Sequence, residues 1–273
     1  CNKKGLTMNI RLIISLIIIA LLAFCSCEKD RQVKFDLEYS TFTDNRDGYE
    51  YKTVTIDGTT WLAENFRYLP SVDGNDVDSV SFDGLRYYVY NYNGTNVNEA
   101  KATDEYKKYG VLYNYDAAIK SCPDGWRLPT MDDFQKLFKS INRTKYEGTY
   151  SHGQSLDYNT IIMMCGQREL WGLKDSGYDL LNVSGLDFVP GGVMKPEWNY
   201  DTYTGKDKEL LDSVIFNDLG NSCLLWKKKK GQEKDYISAW RITYDSQYEQ
   251  IDFDMRETLM QKVCGLSVRY VKD

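Results

Sequence analysis

Residues 130–141 carry a strongly periodic helix signal in a chain otherwise written in short runs of β-branched and aromatic residues. Phe134, Leu137, Phe138 and Ile141 fall at i, i+3, i+4 and i+7, which puts all four on one face. Thr130 is a good N-cap, and Asp133 stands where a capping-box acid belongs, in the positive first turn. Upstream, Pro123-Asp124-Gly125 ends a shorter helix expected over residues 114–120, and Trp126-Arg127-Leu128-Pro129 forms an extended link.

Around these two main helices the signals are those of short strands and long loops. Residues 51–56 alternate as a strand, Asp57-Gly58 is a two-residue hairpin turn, and residues 59–63 return. Residues 70–84 and 91–108 are polar and are expected as loops, with a strand-like aromatic run at 86–92 between them. Residues 237–244 form a strand candidate. Residues 265–271 are expected as a final strand, with Leu266, Val268 and Tyr270 on one face. No strict internal repeat is present. The fold class is therefore α+β.

The N-terminal end sets the compartment. Residues 12–24 are apolar and uncharged but for Ser15, thirteen positions against the roughly 20 that a spanning helix needs. A signal peptide starting at Met8, with Arg11 as its positive region, fits better; residues 1–7 are expected to lie upstream of the true start. Ala23-Phe24-Cys25-Ser26-Cys27 resembles a lipobox. Cys27, behind the small Ser26, is the preferred lipid attachment site, and Cys25, behind bulky Phe24, the second choice. Ordinary cleavage with soluble release and an uncleaved anchor helix are the alternatives. Residues 1–27 are thus expected as signal and lipobox, 28–42 as a flexible tether and 43–273 as the folded domain.

Lys3, Lys4 and Arg11 leave with the signal, so 31 basic side chains face 40 acidic ones, a net charge of −9. Nucleic acid is a poor partner for such a surface. The run Lys227-Lys228-Lys229-Lys230 beside Glu233 and Asp235 is expected as a solvated hairpin loop.

Several motifs in order resemble the Fibrobacter succinogenes major paralogous domain of secreted bacterial proteins and lipoproteins. They are Thr43 to Val54, Ile56 to Phe66, Tyr109-Gly110-Val111-Leu112-Tyr113-Asn114-Tyr115, Cys122 to Thr130, the glycine-rich stretch Gly185 to Gly192, and the closing Gly265 to Val271. Residues 194–233 diverge. The resemblance implies a C-type-lectin-like fold, distantly similar also to formylglycine-generating sulfatase-modifying enzymes, with adjacent termini and loops projecting to one side. Glu28-Lys29-Asp30 is similar to the export signal of some Bacteroidota lipoproteins, and reads equally as a solvated tether.

Catalytic chemistry finds little support. For a lectin-type calcium site the chain offers Lys195-Pro196-Glu197 and Phe216-Asn217-Asp218, but Lys195 puts a cation where an oxygen ligand belongs. The one histidine, His152, stands in a loop-like Ser-His-Gly and suits neither zinc nor a catalytic triad. The sulfatase-modifying enzymes share Arg127-Leu128-Pro129-Thr130 but use a cysteine pair near the C-terminus, where this chain has only Cys264. Paired carboxylates for glycoside hydrolysis have no specific support in sequence. No metal, cofactor or catalytic residue is expected.

Cys122, Cys165, Cys223 and Cys264 are the disulfide candidates of an exported domain, with three possible pairings. The resemblance implies a partner for Cys122 at position 270, where this chain has Tyr270. Cys264 is six residues away, roughly 20 Å along a strand, against the about 7 Å a disulfide tolerates between Cα atoms. The pairing stays open. The leading expectation is a lipid-anchored binding or adhesion module for glycan or protein ligands. Its speculative contacts are the loop aromatics Tyr87, Tyr88, Tyr90, Tyr92, Trp198, Tyr200 and Tyr203. The alternatives are an extracellular enzyme on glycans or proteins, and a structural envelope protein.

Overall fold

The computed structural model describes residues 37–74, 84–141, 158–173, 180–200, 207–228, 235–245 and 252–273. Local chemistry explains the first hairpin. β2 (Tyr49–Ile56) and β3 (Thr59–Leu62) pair antiparallel, with Ile56 opposite Thr59. Asp57 and Gly58 between them both take positive φ, 49° and 77°, as a twist-matched two-residue turn demands. β1 (Leu37–Asp44) adds on one side with Asp44 opposite Tyr49, and β11 (Val271–Lys272) on the other with Val271 opposite Trp61. The sheet order β1-β2-β3-β11 puts the first and last strands in one sheet.

β1 corrects the expected tether: residues 37–42 belong to the sheet. They looked unstructured because an edge strand with a solvated face can be polar. Phe42 is the exception, and its ring lies 5.0 Å from that of Trp126.

A short ribbon pairs β4 (Tyr87–Tyr88) with β5 (Leu112–Tyr113). Among the described residues there are five α-helices rather than the expected two: α1 (Val97–Ala102), α2 (Asp104–Tyr109), α3 (Tyr115–Lys120), α4 (Met131–Ile141) and α5 (Tyr158–Ile162). α1 and α2 lie in the stretch expected as a loop. Each is six residues long, too short for apolar periodicity, and caps start them instead. The Asn96 side chain accepts from the amides of Asn98 and Glu99, and Thr103 from that of Tyr106.

The second sheet has the order β10-β9-β8-β6-β7, formed by β6 (Gly191–Tyr200), β7 (Asp207–Leu219), β8 (Ser222–Trp226), β9 (Tyr236–Asp245) and β10 (Asp252–Gln261). Its ladders are antiparallel except where β6 meets β8 in parallel at Gly192 and Cys223. The expected final strand is shorter than expected. Leu266 and Ser267 make isolated bridges to Tyr113 and Leu225, and only Val271–Lys272 joins a ladder. Ser267 and Arg269 are buried along with Leu266, Val268 and Tyr270, so this segment has no solvent face.

α4 presents its apolar stripe to both sheets. The ring of Phe134 lies 5.2 Å from that of Trp61 on β3 and 5.0 Å from that of Trp240 on β9, and Phe138 lies 5.2 Å from Trp240. Leu137 and Ile141 are buried in the same core. The capping box forms as expected: the Thr130 amide donates to Asp133 Oδ2 at 2.6 Å, and the Asp133 amide to Thr130 Oγ1 at 3.2 Å. Arg127 clamps the same carboxylate, Nη1 to Oδ2 at 2.6 Å and Nη2 to Oδ1 at 3.0 Å. Its Nη2 also reaches Asp273 Oδ1 at 2.6 Å, and its backbone bridges Val271. The C-terminus is thus tied to the start of α4.

Burial alone would raise the Asp133 carboxyl, but the hydrogen bonds from Arg127 and Thr130 prevail and hold it at about 2. A depressed carboxyl contributes stability above its unfolded value of about 3.9 and loses it as pH falls toward 2. Asp133→Asn should therefore cost about 2 kcal/mol at pH 7 and little at pH 2. Guanidinium unfolding at the two pH values checks this, and an equal loss at both contradicts it.

Among the described residues no helix is long and apolar enough to cross a membrane. The apolar run 12–24, Cys25, Cys27 and His152 lie outside the described residues.

Candidate functional site

A polar cavity of about 360 Å³ opens between β1, the end of β3, α2 and the loop before β6. Its floor is Arg269, fully buried, with five N–H donors and, among the described residues, no hydrogen bond to a carboxylate. Nε donates to Asn65 Oδ1 at 2.8 Å, Nη2 to the Asp187 carbonyl at 2.8 Å, and Nη1 to the Leu62 carbonyl at 3.2 Å and to that of Leu186. The guanidinium also sits 5.2 Å from the centroid of the Phe188 ring. Burial lowers its pKa to about 10, partly offset by Cys223 and Asp187, so it stays charged at neutral pH. Asn65 is held by donating to the Tyr109 carbonyl at 2.9 Å and to Ser267 Oγ at 3.2 Å. One arginine and one asparagine thereby join the first hairpin, α2, the glycine-rich stretch and the C-terminal segment.

One wall is conformationally unusual. Gln167, Asn182 and Asp187 all line the cavity and all take positive φ, at 51°, 41° and 51°. They bond to each other: Gln167 Nε2 donates to Asp187 Oδ2 at 2.6 Å, and the Asp187 amide to Asn182 Oδ1 at 2.8 Å. Asn and Asp tolerate this region, but Gln167 pays about 1 kcal/mol for it. Such strain clusters at ligand sites. At the mouth lies the Tyr39 ring, 65% exposed. A Cβ at Gly185, itself at φ +69°, would stand 2.6 Å from that ring, so only glycine lets the tyrosine lie there.

The opposite wall is Glu64 with Arg67 and Lys52. Glu64 Oε1 accepts from the Lys52 amide at 3.0 Å, and Oε2 from Tyr49 Oη at 2.9 Å and Arg67 Nη2 at 3.2 Å. Arg67 stacks 4.8 Å over Tyr49. Planar carboxylates, amides and guanidinium beside an exposed aromatic ring suit a ligand carrying hydroxyl groups.

The aromatics proposed from sequence are placed differently. Tyr87, Tyr88 and Tyr90 are buried, Tyr87 lining a second cavity beside Arg46 and Tyr68, and Tyr92 is half-buried, its hydroxyl bonded to Glu99 at 3.1 Å. Trp198 and Tyr200 lie on strand β6 rather than on a loop, and Tyr203 is outside the described residues. Lys195-Pro196-Glu197 runs along β6 and Phe216-Asn217-Asp218 along β7. No group of three or more His, Cys, Asp or Glu that could hold a metal occurs among the described residues. The expected solvated loop after Trp226 is corrected in its first residue, since Lys227 is buried in an ion pair with Glu257.

The disulfide candidates are free thiols. Cys165 and Cys223 sit in the core beside α4. Burial pushes Cys122, Cys223 and Cys264 up to about 12, and Cys165 also well above its ordinary value. Tyr270 does neighbour Cys122: burial first and Cys122 next raise its phenol, whose hydroxyl bonds the Ala118 carbonyl. Cys264 lies instead near Lys195 and Tyr88. Cys165 and Cys223 are neighbours, since after burial it is Cys223 that raises Cys165 most, and both are free.

The cavity itself is absent from the sequence-derived candidates. Its parts come from positions 39, 52, 63–67, 107–108, 167, 182–189 and 269, and no local spacing links them. A hint is that three of the segments carrying the family resemblance, those ending at Phe66, Gly192 and Val271, meet here.

Fold and site together define a mixed α+β domain with a polar cavity sealed by a buried arginine. The Fibrobacter succinogenes major domain matches residues 54–272, and the chain belongs to that family. No curated protein and no solved structure matches it.

Proposed function

We propose that this chain is an exported lipoprotein of the cell envelope, acylated at Cys27, whose domain is a C-type-lectin-like binding module that holds a glycan in the Arg269 cavity. The observation that carries the binding reading is the composition of that cavity: planar hydrogen-bonding side chains fixed by one another, beside an exposed tyrosine at its mouth. Sugars need such a site, since fixed amide and carboxylate groups pair with their hydroxyls and an aromatic ring covers their apolar face.

The anchor is tested by labelled palmitate, which should enter the wild type and not Cys27→Ala. The binding site is tested by a glycan array probed with residues 28–273, with Tyr39→Ala/Asn182→Leu as control. Specific hits that fall at least about 10-fold in the double variant support the site, an order expected when one stacking and one hydrogen-bonding group are lost. Hits unchanged by the double variant, or none, contradict it.

A second reading has one observation behind it, because Glu64 and Asp187 line the same cavity as a glycosidase's carboxylates would. Both carboxylates are engaged by protein donors, which suits positioning more than proton transfer. Release of reducing ends from a bound glycan would favour this enzyme reading.

A further inference from the structure

We propose that the Arg269 cavity selects an acidic sugar, a uronic acid or another carboxylate-bearing residue, over neutral ones; this rests on the glycan reading above. The cavity reverses the sign of the protein around it. The whole chain has 34 basic against 40 acidic side chains. The cavity is lined by Lys52, Arg67, Lys107, Lys108 and Arg269, with only Glu64 and Asp187 against them. Both acids are already occupied, Glu64 by Arg67, Tyr49 and the Lys52 amide, Asp187 by Gln167.

Three cations are then left to meet a ligand. Among the described residues Lys52 and Lys107 have no carboxylate partner, and Lys108 reaches Asp104 only at 3.8 Å, with both groups exposed. Arg269 adds a field of a different kind. Its four hydrogen bonds go to three carbonyls and an amide oxygen, none to a carboxylate among the described residues, and one Nη2 proton remains. A charge surrounded by protein is screened less than one in water, so its field extends into the cavity. The lysines sit on two different elements, Lys52 on β2 and Lys107 and Lys108 on α2, and flank the opening. A carboxylate on a sugar bound in the cavity meets the lysines directly and the field of Arg269 from beneath, while the sugar's hydroxyls meet Asn182, Gln167 and Glu64.

The test is calorimetric titration of residues 28–273 with oligogalacturonate and oligoglucuronate, with neutral galactose and glucose oligomers of equal length, and with sodium sulfate. The expected result is at least 10-fold tighter binding of an acidic oligomer than of its neutral counterpart. The preference should fall to about 2-fold or less in Lys52→Gln/Lys107→Gln, and weaken between 50 and 500 mM salt. These lysines are exposed, and an unchanged circular dichroism spectrum verifies the fold. Equal affinity for acidic and neutral oligomers overturns the charge selection and leaves the glycan reading standing. Sulfate binding as tightly as the oligouronates shows an anion site without sugar recognition and overturns the proposal. Binding of no oligomer overturns both readings.

Discussion

Arg269→Met should destabilise the domain by about 4 kcal/mol, the largest single-residue loss expected outside the apolar core. Methionine fills much of the same volume, so the loss arises from the hydrogen bonds. It leaves the carbonyls of Leu62, Leu186 and Asp187 short of a donor inside the protein, and frees Asn65 Oδ1. Each buried acceptor left without a donor costs about 1 to 3 kcal/mol. The contacts span segments more than 200 residues apart, so the loss should appear in global unfolding as a lower guanidinium midpoint. Arg269→Lys keeps the charge without the planar fork and should fall between the two. A loss below about 1 kcal/mol for methionine would mean that water from the cavity replaces the guanidinium, and that Arg269 does not fasten the C-terminal segment.

Lys227→Met should cost about 3 kcal/mol, because it removes the cation paired with a buried carboxylate, that of Glu257. Lys227 and Glu257 side chains are only 6% and 5% exposed, and they pair across the five-stranded sheet from the end of β8 to β10. Breaking a buried pair from one side is costly, whereas removing both charges together is often neutral. The double variant Lys227→Met/Glu257→Leu should therefore return to within about 1 kcal/mol of wild type, a coupling that a double-mutant cycle in guanidinium reads directly. Additive losses in the cycle would show that the two side chains act independently.

What could be read from sequence was local. The stripe and cap of α4, the Asp57-Gly58 hairpin and the α3 helix all depend on residues within about seven positions of each other. Each stands as expected. Misreadings came where a distant segment decides the environment. The aromatic run at 86–92 was strand-like in sequence, and Tyr87–Tyr88 do pair as a strand, but its tyrosines were also expected to contact ligand, whereas Tyr87, Tyr88 and Tyr90 are covered by chain from elsewhere, with Ser121 donating to the Tyr87 hydroxyl at 3.2 Å. Alternation put Arg269 opposite Leu266, Val268 and Tyr270. The glycine-rich stretch covers that opposite face and turns a surface arginine into a buried hub. The pairing of Cys122, Cys165, Cys223 and Cys264 stayed open in sequence because it depends on distant segments, and in the fold all four are free. The cavity was invisible for the same reason, since strain at Gln167 and the approach of Tyr39 to Gly185 leave no pattern in neighbouring residues.

Amide chemical-shift mapping locates a bound glycan on the domain. Isotope-labelled residues 28–273 would be titrated with the best glycan from the array. The account predicts that the largest shifts fall on Lys52, Glu64, Gln167, Asn182 and Asp187, around the Arg269 cavity. Shifts confined to other faces, with these five amides unmoved at saturation, would contradict it.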